Sequence, residues 1–301
     1  MRVLFARCFG IGNAVMCVPA LKALKSLGHQ VDVLVGNTPD DFGAFDVMNL
    51  LRIHSGTIDN LWVGSVPKDA GEYDLAIQSM PFDGRWRNRV HFWALRTMDG
   101  RTRPDPSSTG LSSWKKTETE YQIDNIRQLG FEGEMPGCSF MPYRMFGDGT
   151  PLRFYLGVGY KKDAAGFWKV KHWGNDRYAA LVKRILSTFE GSQVWTTGDM
   201  ADYTCSIRPI EKAVGSDRFR YYPGGLLSSF NVLNECQVYV GNDTGMMHVA
   251  AAQQKRVVGI FTMENSLTKA RPWCPVQACL EDVDGTKTEE DVVRKIYEVL
   301  G

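Results

Sequence analysis

The 301-residue sequence holds no Cys-x-x-Cys pair, and its seven cysteines are an odd number. The nearest two, Cys274 and Cys279, have four residues between them. Such spacing supports neither a disulfide framework nor a zinc site; it points to free thiols in a reducing compartment. No charge of one sign dominates. With 35 basic and 34 acidic residues the formal net charge is +1, which singles out no class of partner. No run approaches the roughly 20 apolar residues that span a bilayer. The opening MRVLFARCFG is interrupted by Arg7 and lacks the long apolar region of a signal peptide. A cytoplasmic protein is expected, with peripheral contact at the inner face of a membrane left open. No carboxylate or histidine cluster has ligand spacing, so neither a metal nor a cofactor is expected. No internal repeat and no low-complexity segment occur.

What the sequence does have is alternation. Short apolar runs, VLFA (3–6), VDVLV (31–35), NLWVG (60–64), DLAIQ (74–78), FYLGV (154–158), SQVWTT (192–197), VYVG (238–241) and VVGIF (257–261), read as strands. Between or after them fall helical patterns at 14–27, 118–130, 176–189, 246–254 and 289–300. Strands apolar on both faces suit a sheet covered by helices on either side. Strand–helix alternation implies parallel, right-handed βαβ units. The Gly- and Pro-rich stretch 140–154 separates two such blocks. The expected fold class is therefore α/β, with two Rossmann-like, doubly wound parallel-sheet domains, 1–148 and 149–301, facing across a cleft. The last helix, 289–300, is free to pack back on the first domain. Ligands on such sheets bind beyond the carboxyl ends of the strands.

Two turns stand at such strand ends. CFGIGNAV follows the first strand and opens the first helix. Gly10 and Gly12 allow a tight turn and close approach of a ligand to the backbone. The dinucleotide fingerprint fails here, because Val15 replaces the third glycine and no acidic residue ends the second strand. A nicotinamide dehydrogenase is thereby disfavoured, and a plain βα turn is the bland alternative to a cleft lining. The second turn is GNDTG, residues 241–245. Asp243 can accept from sugar hydroxyls, and Thr244 and Gly245 offer backbone N–H groups to a phosphate at a helix start. The bland reading is a helix cap. His248 lies close enough to reach back over the same helix end.

GNDTGMMHVAAA resembles the signature of glycosyltransferase family 9, the heptosyltransferases. FARCFGIGNAVMCVPALKALK is similar to that family's N-terminal glycine turn, KVKHWGNDRYAALVKRI to its Lys-x-Trp segment, and VWTTGD to the strand leading into its donor loop. The resemblance implies a GT-B architecture and an inverting, metal-independent transfer from a nucleotide-sugar donor, ADP-heptose or another. It places the donor on the C-terminal half, at Lys171, Asp243, Thr244, Gly245 and His248. Lys171 would neutralise diphosphate charge, with His172 and Trp173 anchoring its loop. Gly198 and Asp199, after the sixth strand, would border the nucleotide.

One position departs from the family. Its N-terminal motif carries an Asp that serves as base, whereas this chain reads Gly12-Asn13. An amide takes no proton at neutral pH, and inverting transfer needs a base near the nucleophile. Asp83 is the favoured replacement, ahead of Asp40, Asp41 and His91; a turn residue is the bland reading of Asp83. The segment 84–103 holds six arginines, among them Arg85, Arg87 and Arg89, and one acidic residue. With Gly10, Gly12 and Asn13 it suits an anionic acceptor, a phosphorylated glycolipid or polysaccharide core. A nucleic acid would suit it too, and so would an amphipathic helix with Val90, Trp93 and Ala94 on its apolar face. The segment 103–114 reads as a loop able to close over acceptor. The expected function is a glycosyltransferase. Two alternatives stay open: a nucleic-acid-modifying glycosyltransferase, and a nucleotide-sugar-binding protein with little turnover, as Asn13 would explain.

Overall fold

A computed structural model of the chain describes residues 1–8, 10–36, 42–78, 93–94, 116–147, 149–159 and 171–301. The chain divides into two compact units, Met1–Pro142 and Tyr143–Gly301. The first unit runs β1 (Arg2–Cys8), α1 (Gly10–Ser26), β2 (Gln30–Val35), α2 (Phe42–Ser55), β3 (Asn60–Val63), β4 (Leu75–Gln78), β5 (Trp93–Ala94) and α3 (Glu118–Arg127). Its strands are parallel and ordered β3-β2-β1-β4-β5. Val31, Val33 and Val35 alternate with Asp32 and Leu34 on β2, and all are buried because helices cover the sheet on both faces. Helix α1 is buried along most of its length, from Ala14 to Leu24, and packs against α2 and α3. α3 starts at a capping box: the Thr117 hydroxyl accepts from the Glu120 N–H at 3.2 Å, and the Glu120 carboxylate accepts from the Thr117 N–H at 2.7 Å.

The second unit runs β6 (Arg153–Gly157), α4 (Asn175–Thr188), β7 (Gln193–Gly198), α5 (Met200–Asp202), a π turn (Tyr203–Ile207), α6 (Arg208–Val214), β8 (Phe219–Pro223), α7 (Leu226–Asn234), β9 (Val238–Asn242), α8 (Gly245–Ala252), β10 (Arg256–Phe261), α9 (Ser266–Ala270), β11 (Gln277–Glu281) and α10 (Glu289–Leu300). The parallel order is β11-β10-β9-β6-β7-β8. This is the doubly wound arrangement in which the first and fourth strands of the unit lie side by side. Its largest core packs Leu181, Val182 and Ile185 of α4 and Val292, Ile296 and Val299 of α10 against Val258 and Ile260. Each fully buried aliphatic side chain contributes about 1.5–3 kcal/mol relative to its exposed state.

The division falls at 142/143, six residues before the 148/149 boundary expected from sequence. The reason is local. Arg144 fastens its stretch to the second unit: its N–H donates to Asn234 Oδ1 at 2.8 Å, its guanidinium pairs with Glu235, and its carbonyl accepts from Lys255. Helix 289–300, left free in the sequence reading, spends its apolar face on the core of the second unit. Residues 219–223 and 277–281 form strands that the sequence reading passed over. Both lie at sheet edges, half exposed, without the two-sided apolar run that marks a central strand.

Candidate functional site

In the second unit the strand order reverses between β6 and β9. β6 connects through α4 to β7 on one side, and β9 through α8 to β10 on the other. A crevice opens at the carboxyl ends of two strands so arranged. Two glycines face each other there, Gly157 on β6 and Gly241 on β9. A Cβ on Gly157 would overlap the Tyr239 phenol, and one on Gly241 would overlap the Gly157 carbonyl. The glycines thus let the strands close up and let Tyr239 reach the strand end. Its hydroxyl donates to the Asn242 carbonyl at 2.8 Å and lies 3.4 Å from Thr244 Oγ1.

The polar string after β9 occupies the strand-to-helix handover. Asp243 is 5% exposed. Its carboxylate accepts from Lys171 Nζ at 2.6 Å, and the lysine, with 19% of its side chain exposed, keeps one side open to solvent. Thr244 is the N-cap of α8 with extended backbone, yet its hydroxyl makes no cap bond, and no acidic residue stands in the first turn. The positive end of α8 is therefore not neutralised by its own side chains. His248 is buried, with Nε2 4.0 Å from Asp243 Oδ1. Burial pushes its pKa down to about 4, the Asp243 charge opposing and the Lys171 charge adding to that shift. The imidazole is neutral near pH 7 and supplies no positive charge to a ligand.

Lys171 opens the segment 171–174, which leads into α4 and is held at several points. The Trp173 indole donates to Asp282 Oδ2 at 2.7 Å, a carboxylate that also takes Arg177 Nη1 at 2.6 Å and the Lys287 N–H at 2.8 Å. His172 accepts from the Gly174 N–H at 3.1 Å through Nδ1 and lies 3.3 Å from Ser206 Oγ through Nε2. Asn175 donates to the Cys205 carbonyl at 2.9 Å, which lies in the π turn. The anchoring expected of His172 and Trp173 is what the geometry displays. Gly198 ends β7, and Asp199 caps α5 by accepting the Asp202 N–H at 2.7 Å. Asp199 is thus engaged as a cap. Beside it Tyr203 stacks on Tyr221 with ring centres 4.7 Å apart, and the Tyr221 hydroxyl donates to the Gly198 carbonyl at 3.1 Å. Asn242, Tyr178, Asp202 and Asp282 escaped sequence reading. Asn242 alone carried a signal, a polar residue at the end of an otherwise apolar strand.

In the first unit α1 begins at Gly10, whose φ of 60° lies in the left-handed region that glycine tolerates best. Gly12 and Asn13 follow on its first turn, partly exposed. Asp83, Asp40, Asp41, His91, Arg85, Arg87 and Arg89 lie outside the described residues, as does all but 93–94 of the Arg-rich segment. There the helical alternative gives way: Trp93 and Ala94 form β5 and pair with Ala76 and Ile77 of β4. Among the described residues no group of three His, Cys, Asp or Glu is placed to hold a metal, and no helix is long and apolar enough to cross a membrane.

Residues 162–296 match the sequence model of glycosyltransferase family 9 (heptosyltransferase). Comparison with curated proteins gives no match. Among solved structures the chain is similar to a family 9 glycosyltransferase from Veillonella parvula, at 14% identity and a TM-score of 0.74 over 99% of this chain and 97% of that one. It is similar to the E. coli heptosyltransferase WaaC with ADP, at 15% identity and 0.72 over 99% of each. It is also similar to the E. coli ADP-heptose LPS heptosyltransferase II, at 15% identity and 0.70 over 100% and 98%. At such identities the likeness carries the fold, two parallel-sheet units of GT-B type, while the family rests on the signature region in the second unit. The match to glycosyltransferase family 9 lies within the second unit, over somewhat less than half of the chain, and supports glycosyltransferase activity.

Proposed function

We propose that the second unit binds a nucleoside diphosphate sugar at the carboxyl ends of β6 and β9, and that the chain transfers the sugar with inversion to an anionic acceptor held by the first unit. The observation that carries this reading is the Lys171–Asp243 pair beside the start of α8. Asp243 fixes the ammonium at 2.6 Å, and the lysine side chain remains partly exposed, available to a diphosphate in the crevice. As the sugar–phosphate bond breaks, negative charge grows on the leaving diphosphate. Lys171 and the N–H groups around Thr244 and Gly245 stabilise it without moving. No metal and no cofactor enter this scheme. His248 acts as a neutral packing partner of Asp243. Gly198 and Asp199 border the nucleotide. The relatives solved with ADP and with an ADP-heptose analogue make an ADP-linked heptose the first donor to test. Asp83 is assigned as base, Gly10, Gly12, Asn13, Arg85, Arg87 and Arg89 as acceptor contacts, and a phosphorylated glycolipid or polysaccharide core as acceptor. The reaction would take place in the cytoplasm at the inner face of a membrane.

Asn13 favours a second reading, a protein that binds donor and turns it over poorly, because an amide in the family's base position removes no proton. Calorimetric titration with ADP-heptose, UDP-sugars and GDP-sugars, followed by nucleotide release, tests both. Binding of one donor with release that Asn13→Asp accelerates supports transfer limited by the missing base. Binding without release in either protein supports the second reading. In the same titration Asp243→Ala is expected to abolish donor binding with little change in melting temperature. No binding of any donor, or normal binding by Asp243→Ala, would overturn the assignment of this crevice.

A further inference from the structure

We infer that Asn242 is the positioning residue of the donor crevice: its buried amide holds the Lys171 loop and the ends of β6 and β9 in one arrangement. The inference rests on the donor reading given above. Asn242 has no exposed surface. Its Oδ1 accepts from the Tyr178 hydroxyl on α4 and from the Trp173 N–H at 3.4 Å, two residues beyond Lys171. Its Nδ2 donates to the Val158 and Gly159 carbonyls, at 3.4 and 3.3 Å, just past β6. Its own carbonyl takes the Tyr239 hydroxyl, and the next residue is Asp243. Four chain segments therefore meet at this residue: the ends of β6 and β9, the residues leading into α4, and α4 itself.

Only an amide meets these demands. An aspartate at this place would turn a carboxylate toward two carbonyl oxygens, and a leucine would leave all four partners without a bond. The partners include the backbone of the Lys171 loop, so loss of the amide lets Lys171 drift from the diphosphate while the sheet hydrogen bonds persist. Asn242 touches no ligand in this scheme; it acts through Lys171.

A double-mutant cycle on the full chain reads that dependence, with ADP as the probe in calorimetric titration. Asn242→Ala is expected to weaken ADP about tenfold, the equivalent of roughly one buried hydrogen-bonded contact. In a Lys171→Ala background the same substitution is expected to change the affinity less than about twofold, because the residue it positions is gone. Equal losses in both backgrounds, or normal ADP binding by Asn242→Ala, would overturn the inference and leave the donor reading intact. Should Asn242→Ala fail to fold, Tyr178→Phe, which removes one of the four bonds, takes its place in the cycle. It is expected to cost about threefold alone and nothing further beside Lys171→Ala; additivity there overturns the inference equally. Failure of the unsubstituted protein to bind ADP would instead remove the donor reading, and the positioning role with it.

Discussion

The two units share a strand order, and a polar cluster at the amino ends of the first unit's strands can be set against one at the carboxyl ends of the second's. In the first unit Asp32, fully buried on β2, accepts from Arg2 Nη2 at 2.8 Å, the Tyr73 hydroxyl at 2.9 Å and Asn60 Nδ2 at 2.9 Å. Arg2 opens β1, Asn60 opens β3 and Tyr73 precedes β4, so this cluster lies at the amino ends of the strands. Trp62 adds its indole N–H to the Tyr73 oxygen at 3.0 Å, and the Arg2 guanidinium lies 4.4 Å from the centre of the Tyr73 ring. These groups bond chiefly to one another, although Arg2 Nε is buried without a hydrogen-bond partner. In the second unit the corresponding wealth of polar groups, Lys171, Asn242, Asp243 and Asp282, gathers at the carboxyl ends, where helices begin and their N–H groups point outward. The same architecture thus carries a fastening cluster at one end of the strands and, in the proposed function, a binding cluster at the other.

The largest effect is expected where the second unit's strands approach most closely. Gly241→Ala forces a methyl group into the Gly157 carbonyl and should cost on the order of 4 kcal/mol, enough to lower the melting temperature by many degrees. Ala6→Gly at the matching edge of the first unit's switch point, where Ala6 pairs with Gln78, should cost only about 1 kcal/mol. Comparable losses from the two would break the claim that the close approach is special to the second unit. Next comes Asp32→Ala, which leaves a buried phenol and a guanidinium without their shared acceptor, at about 3 kcal/mol. The purified variant should bind ADP with unchanged affinity. Weakened ADP binding would show that the amino-end cluster is coupled to the crevice after all.

The sequence reading and the structure agree where a pattern is local. The eight expected strands all form; most are short apolar runs that two layers of helix can cover, while β3, half exposed at a sheet edge, is marked by its apolar Leu61, Trp62 and Val63. The helix Phe42–Ser55 was legible and overlooked: Ala44, Val47, Met48 and Leu51 recur at three- and four-residue spacing and are the residues it buries. The edge strands Phe219–Pro223 and Gln277–Glu281 were not legible, since exposure on one side removes the two-faced apolar run. The crevice divides in the same way. Lys171, Asp243 and His248 came from a motif. Asp282 reaches Trp173 across 109 positions of sequence, and no single-sequence spacing announces a contact that the sheet order creates. Asn242 lies between these cases: its place at a strand end was visible, and its partners on β6 and α4 were not.

Lys171→Ala separates the two roles most directly. Removing a charged donor from the crevice should weaken ADP about a hundredfold, near 2.7 kcal/mol, the size of a charge-assisted contact. The melting temperature should fall by a few degrees as well, because the buried Asp243 carboxylate loses its paired charge. A fall of several degrees in melting temperature with ADP affinity intact would make the pair a fastening contact like that of Asp32.

The smallest effect concerns His248 and its dependence on pH. Its folded pKa, about 4, lies below the ordinary value of 6.5 because burial disfavours the imidazolium. The unfolded chain therefore binds more protons than the folded one between those two values. The stability that the neutral ring contributes is complete above about pH 6.5 and is lost as pH falls toward about 4. Between about pH 7 and pH 5 the loss should approach 2 kcal/mol. His248→Gln keeps a polar side chain at the site and has no proton to gain, so its denaturation midpoint should fall less over that interval than the midpoint of the unsubstituted protein. Asp243 and Lys171 are the charged neighbours, and they oppose one another in their pull on the ring. Identical acid sensitivity in the two proteins would mean that the imidazole is reached by water or takes its proton without cost, and the picture of a dry helix start beneath the Lys171–Asp243 pair would have to give way to a hydrated one.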